Sequence, residues 1–286
     1  MAALLEQTTF LLVSVTLLGL VVGSFLNVVI HRLPMMMNQS WHRECCEFLE
    51  QPAPSVPPLS LSAPNSRCPH CQAPIHAWQN IPVISYLMLR GRCANCRERI
   101  SLRYPIVELV SGALSLAAGL HFGFEGPQIL GALVMIWCLI ALTGIDMDTQ
   151  LLPDSITLPL LWLGLLFNLG GVFTDLHSAV VGAVAGYLAL WSVYWGFKLL
   201  TGKEGMGYGD FKLLAALGAW FGWQSLPLII LLSSFVGAAI GIVLIVAQRQ
   251  GREVPMPFGP YLAGAGLLCL FFGDALINGY FNMVGM

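Results

Sequence analysis

Gly205-Met206-Gly207-Tyr208-Gly209-Asp210-Phe211-Lys212 is a polar, glycine-rich turn set between two long apolar runs. A carboxylate at the mouth of an apolar helix is costly and usually has a task. Three glycines in five residues exceed what a helix cap requires. They permit unusual backbone angles and the close approach of a second backbone, which suits a loop that beds an extended peptide. The plainer alternative is that Asp210 caps the next helix, with Lys212 nearby.

The rest of the chain sets this turn in a membrane. Of 286 residues, 57% are hydrophobic and only 10% are charged, too apolar for a soluble domain of this size. The apolar residues fall in runs at 10–30, 104–122, 128–145, 155–173, 178–197, 211–222, 225–247 and 258–281. Runs of about 18–24 residues cross a hydrocarbon core of roughly 30 Å. The expected fold is an all-α polytopic membrane protein with about eight transmembrane helices. Residues 211–222 are short for a span, which predicts tilt, burial in protein or partial crossing. The leading segment, residues 1–9, has Glu6 and no Lys or Arg, so the first run is expected to be a retained helix and not a cleaved signal. A net charge of −2 gives no field that would draw nucleic acid.

Basic residues orient the chain. Arg32, Arg43, Arg67, Arg90, Arg92, Arg97, Arg99 and Arg103 all lie between the first two runs. Counting crossings puts Lys198, Lys203, Lys212, Arg249 and Arg252 on the same side, whereas the loops near Phe124, Asp175 and Gly222 have no Lys or Arg. The positive-inside rule then makes residues 31–103 a cytoplasmic insert and both termini periplasmic. The expected organisation is a first helix at 1–30, the insert at 31–103 and a helical core at 104–286.

The insert begins with a Pro- and Ser-rich stretch, 34–64, without a clear period, predicted irregular or partly helical. Its adjacent Cys45 and Cys46 read as free cytosolic thiols. Cys68-Pro69-His70-Cys71 follows and, after 21 residues, Cys93-Ala94-Asn95-Cys96. Two such knuckles supply four thiolates, which close a tetrahedral zinc shell with no position for water, so the metal is structural. A dithiol redox pair and uncoordinated thiols are the competing readings. His70 and His76 are surplus to four cysteines.

Several carboxylates gather at the cytoplasmic helix ends: Asp146 and Asp148 in Ile145-Asp146-Met147-Asp148, Asp154 after Pro153, and Asp210. Asp154 reads as an N-cap and Asp148 as a solvated loop acid. Two carboxylates sharing a partly dry site do not both ionise easily. One then takes a proton from water while the other donates to a carbonyl oxygen, which is chemistry that hydrolyses an amide. The chain has no H-E-x-x-H and no G-x-S-x-G. The alternative function is a membrane transporter that uses its carboxylates as a proton or cation relay. A third is a zinc module tethered to the membrane, which leaves the aspartates idle.

Six stretches in order resemble the type IV prepilin peptidases, bacterial inner-membrane aspartic proteases of the GxGD kind. They are Gly23-Ser24-Phe25-Leu26-Asn27 through Pro34, the paired knuckles, Arg103-Tyr104-Pro105-Ile106-Val107-Glu108, Ile145-Asp146 through Asp154, Gly207-Tyr208-Gly209-Asp210-Phe211-Lys212, and Pro257-Phe258-Gly259-Pro260-Tyr261. The resemblance implies a catalytic pair at Asp146 and Asp210, with Gly207 and Gly209 supporting the substrate loop. It implies that type IV prepilins and type II secretion pseudopilins are cut after a short basic leader. It also implies that the new N-terminus is then methylated by S-adenosylmethionine. No soluble methyltransferase pattern is present, and the insert, residues 23–27 and Glu108 are the candidate donor sites. Glu108 also reads as a helix first-turn acid and Asn27 as an interhelical hydrogen-bonding group.

Overall fold

The computed structural model describes the backbone of residues 2–52, 59–248 and 256–284. Arg249 and Arg252, used above for orientation, lie outside the described residues, as do residues 53–58 of the insert. The described chain is helical, without a named strand, and it divides into two units, residues 1–120 and 121–286. Each of the eight apolar runs has a helix: α1 (Ala2–Phe48), α3 (Arg103–Phe122), α4 (Gln128–Thr149), α5 (Asp154–Leu169), α6 (Leu176–Thr201), α7 (Tyr208–Phe221), α8 (Leu226–Gln248) and α9 (Gly259–Val284). The remaining helix, α2 (Ile84–Met88), belongs to the insert. Five of the described helices are long and apolar enough to cross a membrane, those containing α1, α3, α4, α6 and α8.

In the first unit α1 is 47 residues long and passes through Pro34 without ending. At 1.5 Å per residue that is about 70 Å, more than twice a hydrocarbon core. Residues 31–48, read from the sequence as insert, are therefore a continuation of the first helix. Small residues let α1 and α3 touch, the usual device between membrane helices. A Cβ on Gly19 would lie 2.5 Å from Ser115 Oγ, and one on Gly23 would lie 2.8 Å from the Cα of Glu108. Ser111 donates to the Gly19 carbonyl at 2.7 Å. The Asn27 amide donates to the carbonyls of Gly23 and Tyr104 at 3.2 and 3.1 Å, so its expected interhelical role is its observed one. The insert folds back on α1, where the Arg32 guanidinium donates to the carbonyls of Ser60, Leu61 and Pro64.

The second unit is built around α7. Every residue from Asp210 to Trp220 is buried except Lys212, which is half-buried. A helix that is apolar on all sides belongs inside a bundle. At 14 residues, about 21 Å, α7 is short for a span, and of the sequence expectations burial in protein is observed. α6 crosses it at a glycine pair, where a Cβ on Gly182 would run into the Gly218 carbonyl and one on Gly218 into the Gly182 carbonyl. A Cβ on Gly186 would stand 2.7 Å from the Leu214 carbonyl oxygen. On the α5 side the Trp220 indole N–H donates to the Leu160 carbonyl at 2.8 Å, and Gly164 leaves room for the ring. Asn168, buried on α5, holds the far end of α7. Its amide donates to the Ala219 and Trp220 carbonyls, and its oxygen accepts from Phe173 and Thr174. Those last carbonyls of a helix would otherwise be orphaned away from water. Outward positions of α6 and α8 stay apolar, with Val184, Leu188, Phe235 and Ile242 exposed.

Candidate active site and metal centre

Asp146 and Asp210 are both buried, at 4% and 7% exposure. Asp146 lies in the last turn of α4, which ends when Gln150 turns left-handed (φ 55°) and donates its N–H to the Asp146 carbonyl at 2.9 Å. Asp210 is the third residue of α7, after Gly207 as N-cap, so the alternative that Asp210 itself caps the helix is not the arrangement observed. The Asp146 charge is felt at Asp210, so the two carboxyl groups share one electrostatic neighbourhood.

The connection between α4 and α5 packs against the starts of α7 and α9. A Cβ on Gly209 would stand 2.6 Å from the Leu152 Cβ, and one on Gly259 would stand 3.1 Å from Leu152 Cδ2. Leu152 is thus wedged between the starts of α7 and α9, next to Gly209, which precedes Asp210, and Gly259, which bonds Asp146. The Gly259 N–H donates to Asp146 Oδ2 at 2.9 Å. Among the described residues, one buried side-chain oxygen has no hydrogen-bond partner, Asp210 Oδ1. Leaving a buried acceptor unmatched costs about 1–3 kcal/mol, so an unmatched oxygen beside a second carboxylate marks a place where a ligand or reacting group belongs.

The glycines of the turn divide the work. None of Gly205, Gly207 and Gly209 has a positive φ, so the expected unusual angles are not used. Gly209 is needed for the approach of Leu152. Gly207 has only Asp210 Oδ2 near its absent Cβ, at 3.8 Å, and keeps space open beside that carboxylate. The neighbouring acids lie outside the pair. Asp154 is the first residue of α5 after Pro153, not its N-cap, and its carboxylate takes both contacts from Lys212 Nζ, at 2.6 and 2.7 Å. Asp148 is exposed. Glu204 pairs with Lys198 at 2.8 Å, and that lysine also reaches the Tyr194 hydroxyl, which ties the loop before α7 to the end of α6.

In the first unit the four cysteines converge. The sulfurs of Cys68, Cys71, Cys93 and Cys96 all lie within 4.8 Å of one another. The Cys68–Cys96 and Cys71–Cys93 separations are 3.8 and 4.0 Å. A tetrahedral zinc with sulfur at 2.3 Å puts its ligands about 3.8 Å apart, so the cluster fits that ion. The two knuckles are alike. Each closes on a left-handed residue, Gln72 (φ 57°) or Arg97 (φ 61°), whose N–H returns to the carbonyl of the first cysteine. The Ala73 backbone and the Asn95 side chain hold the Cys71 thiol down to about 6, and backbone N–H groups of Cys96 and Asn95 lower Cys93, which favours the thiolate form a metal needs. The cluster draws on no histidine.

Two of the places proposed from sequence for the methyl donor, residues 23–27 and Glu108, already make contacts within the fold. Buried Glu108 accepts the N–H of Val83 at 2.8 Å, with Val83 held at φ 60°, rare for a β-branched residue. Asn27 bonds the helices, and Ser24 reaches the Asn80 carbonyl. These groups join α1, α3 and the insert, and no donor-binding residue follows from them.

Residues 17–122 match the bacterial peptidase A24 N-terminal domain and residues 133–242 match the type IV leader peptidase family. The chain belongs to the type IV leader peptidase family. It is 59% identical to the prepilin leader peptidase/N-methyltransferase of Stutzerimonas stutzeri over 264 residues, covering 92% of this chain and 91% of the relative. The proteins of the same name from Aeromonas hydrophila and Pseudomonas aeruginosa are 56% and 54% identical, over 93% and 94% of this chain and 92% and 93% of theirs. No solved structure matches. Gly259 and Leu152 stand out in the sequence only as members of resembling motifs, and Asn168 does not stand out at all. The bare glycine N–H beside a carboxylate left no sequence signal of its own.

Proposed function

We propose that this inner-membrane protein removes the basic leader from type IV prepilins and type II secretion pseudopilins, and then methylates the new N-terminal amine with S-adenosylmethionine. The observation that carries the peptidase half is the pair of buried carboxylates on α4 and α7, one with an unmatched oxygen. The name shared by relatives that match the chain almost end to end carries the methyl-transfer half. They give no support to a transporter.

Asp146 and Asp210 act as a dyad with one proton between them. The ionised member draws a proton from water as the oxygen attacks the scissile carbonyl, and the neutral member protonates the carbonyl oxygen. Collapse of the tetrahedral diol returns that proton to a carboxylate and passes another to the leaving amine, so the dyad is restored. Gly207 leaves space for the peptide beside Asp210, while Gly209 lets the loop carrying Leu152 close on α7. The amine freed by cleavage is the nucleophile for the methyl group, and S-adenosylmethionine supplies an electrophilic methyl when bound.

Residues 1–30 serve as a membrane helix, 31–103 as the cytoplasmic insert into which α1 continues as far as Phe48, and 104–286 as the protease core in membrane lipid, with both termini periplasmic. Cys68, Cys71, Cys93 and Cys96 would hold a structural zinc that staples a segment too small for its own core. Purified protein in lipid, given a prepilin and methyl-labelled S-adenosylmethionine, should yield a shortened pilin with label on its first residue. A prepilin that stays intact would contradict the proposal.

A further inference from the structure

The Pro257–Tyr261 stretch, at the start of α9, has no task in the chemistry above. Its glycine nevertheless makes the one hydrogen bond described for the Asp146 carboxylate, from a backbone N–H to Oδ2 at 2.9 Å, in a buried setting. The following residue is Pro260, which has no N–H to offer, and the N–H groups of Tyr261 and Leu262 return to the Phe258 carbonyl. Among the hydrogen bonds described at this end of α9, the Gly259 N–H is the one given to the aspartate. The space is as specific as the bond. A Cβ on Gly259 would stand 2.7 Å from Asp146 Oδ2 and 3.1 Å from Leu152 Cδ2. Real side chains do not tolerate the first distance, so a carboxylate, being the smaller and less anchored group, would have to turn away. Gly264, on the same helix, has nothing within 4 Å of its absent Cβ.

We infer that Gly259 is a positioning residue for the cleavage reaction, fixing the Asp146 carboxylate through its N–H and its missing side chain. With Oδ2 held, the other oxygen has a defined direction for the water. This inference rests on the reading of Asp146 as catalytic. A displacement of about 1 Å in a reacting group costs on the order of 10²-fold in rate.

The test is steady-state cleavage of a prepilin by the full chain in lipid, comparing wild type with Gly259→Ala, Gly264→Ala and Asp146→Asn, alongside thermal unfolding of each. Gly259→Ala should lower kcat by roughly 10²-fold with KM within about twofold of wild type, and should unfold at the wild-type midpoint. Gly264→Ala should match wild type in every reading. Adding Leu152→Ala to Gly259→Ala should recover part of kcat, because the vacated volume lets α9 withdraw from the carboxylate. A Gly259→Ala enzyme with normal kcat would overturn the inference. So would one whose lost activity tracks a lowered unfolding midpoint, which would make the glycine a folding requirement alone. If Asp146→Asn cleaves normally, the catalytic reading itself fails. If it is inactive while Gly259→Ala is unimpaired, only the positioning role fails.

Discussion

The four cysteines and the two aspartates are assembled in opposite ways. The cysteines lie within residues 68–96, in two similar turns whose own backbone bonds shape each knuckle. The aspartates sit on different helices, and their approach depends on the α6–α7 glycine crossing, on Asn168 holding the far end of α7, and on Leu152 between two glycines. A locally built site loses its geometry only when its own residues change. A site built by helix packing is exposed to substitutions throughout the bundle. The cysteine cluster is a closed set of like groups, whereas one of the two aspartates keeps an oxygen unmatched.

Substitutions can break this contrast. Cys68→Ser combined with Cys71→Ser removes half of the ligand set. Structural zinc in small domains contributes on the order of 10 kcal/mol of folding free energy. Metal analysis should show zinc lost, and limited proteolysis should show cutting within residues 60–100 while the helices of the second unit stay protected. Gly218→Ala tests the distant support of the dyad. Its Cβ would meet the Gly182 carbonyl, a backbone atom that cannot rotate away, and overpacking of this kind costs about 1–3 kcal/mol or more. Cleavage and the unfolding midpoint should both fall, with zinc content unchanged.

Asn168→Ala strips partners from the Ala219 and Trp220 carbonyls and should cost about 1–3 kcal/mol, read as a lower unfolding midpoint. Asp154→Asn should matter least. The carboxylate is 55% exposed and its Lys212 partner 28%, and exposed pairs contribute about 0–1 kcal/mol. Cleavage near the wild-type rate would separate this acid from the buried pair. A loss as large as that from a dyad substitution would instead place Asp154 in the chemistry.

The same contrast explains what was legible in the sequence. The eight apolar runs gave the helices because long hydrophobic stretches dictate local structure. Spacing gave the cysteine cluster because each knuckle is a short turn. Chain parity could bring Asp146, Asp148, Asp154 and Asp210 to one face but not choose among them, because that choice depends on which way each side chain points in the packed bundle. Family resemblance selected Asp146 and Asp210, and those two are the ones buried. Asp154 was misread as a cap because its Lys212 partner comes from a distant helix. The extent of α1 was underestimated because Pro34 and a polar stretch imitate a helix end, although the backbone runs on to Phe48.

The central claim is that Asp146 and Asp210 together cut the peptide bond. The direct test is single-turnover cleavage of a prepilin by Asp146→Asn and Asp210→Asn, with methylation of an already cleaved pilin followed in parallel. Each variant should lose at least about 10²-fold in cleavage rate, the lower range for a removed acid or base, while methylation continues. Cleavage at a wild-type rate by either variant would contradict the account.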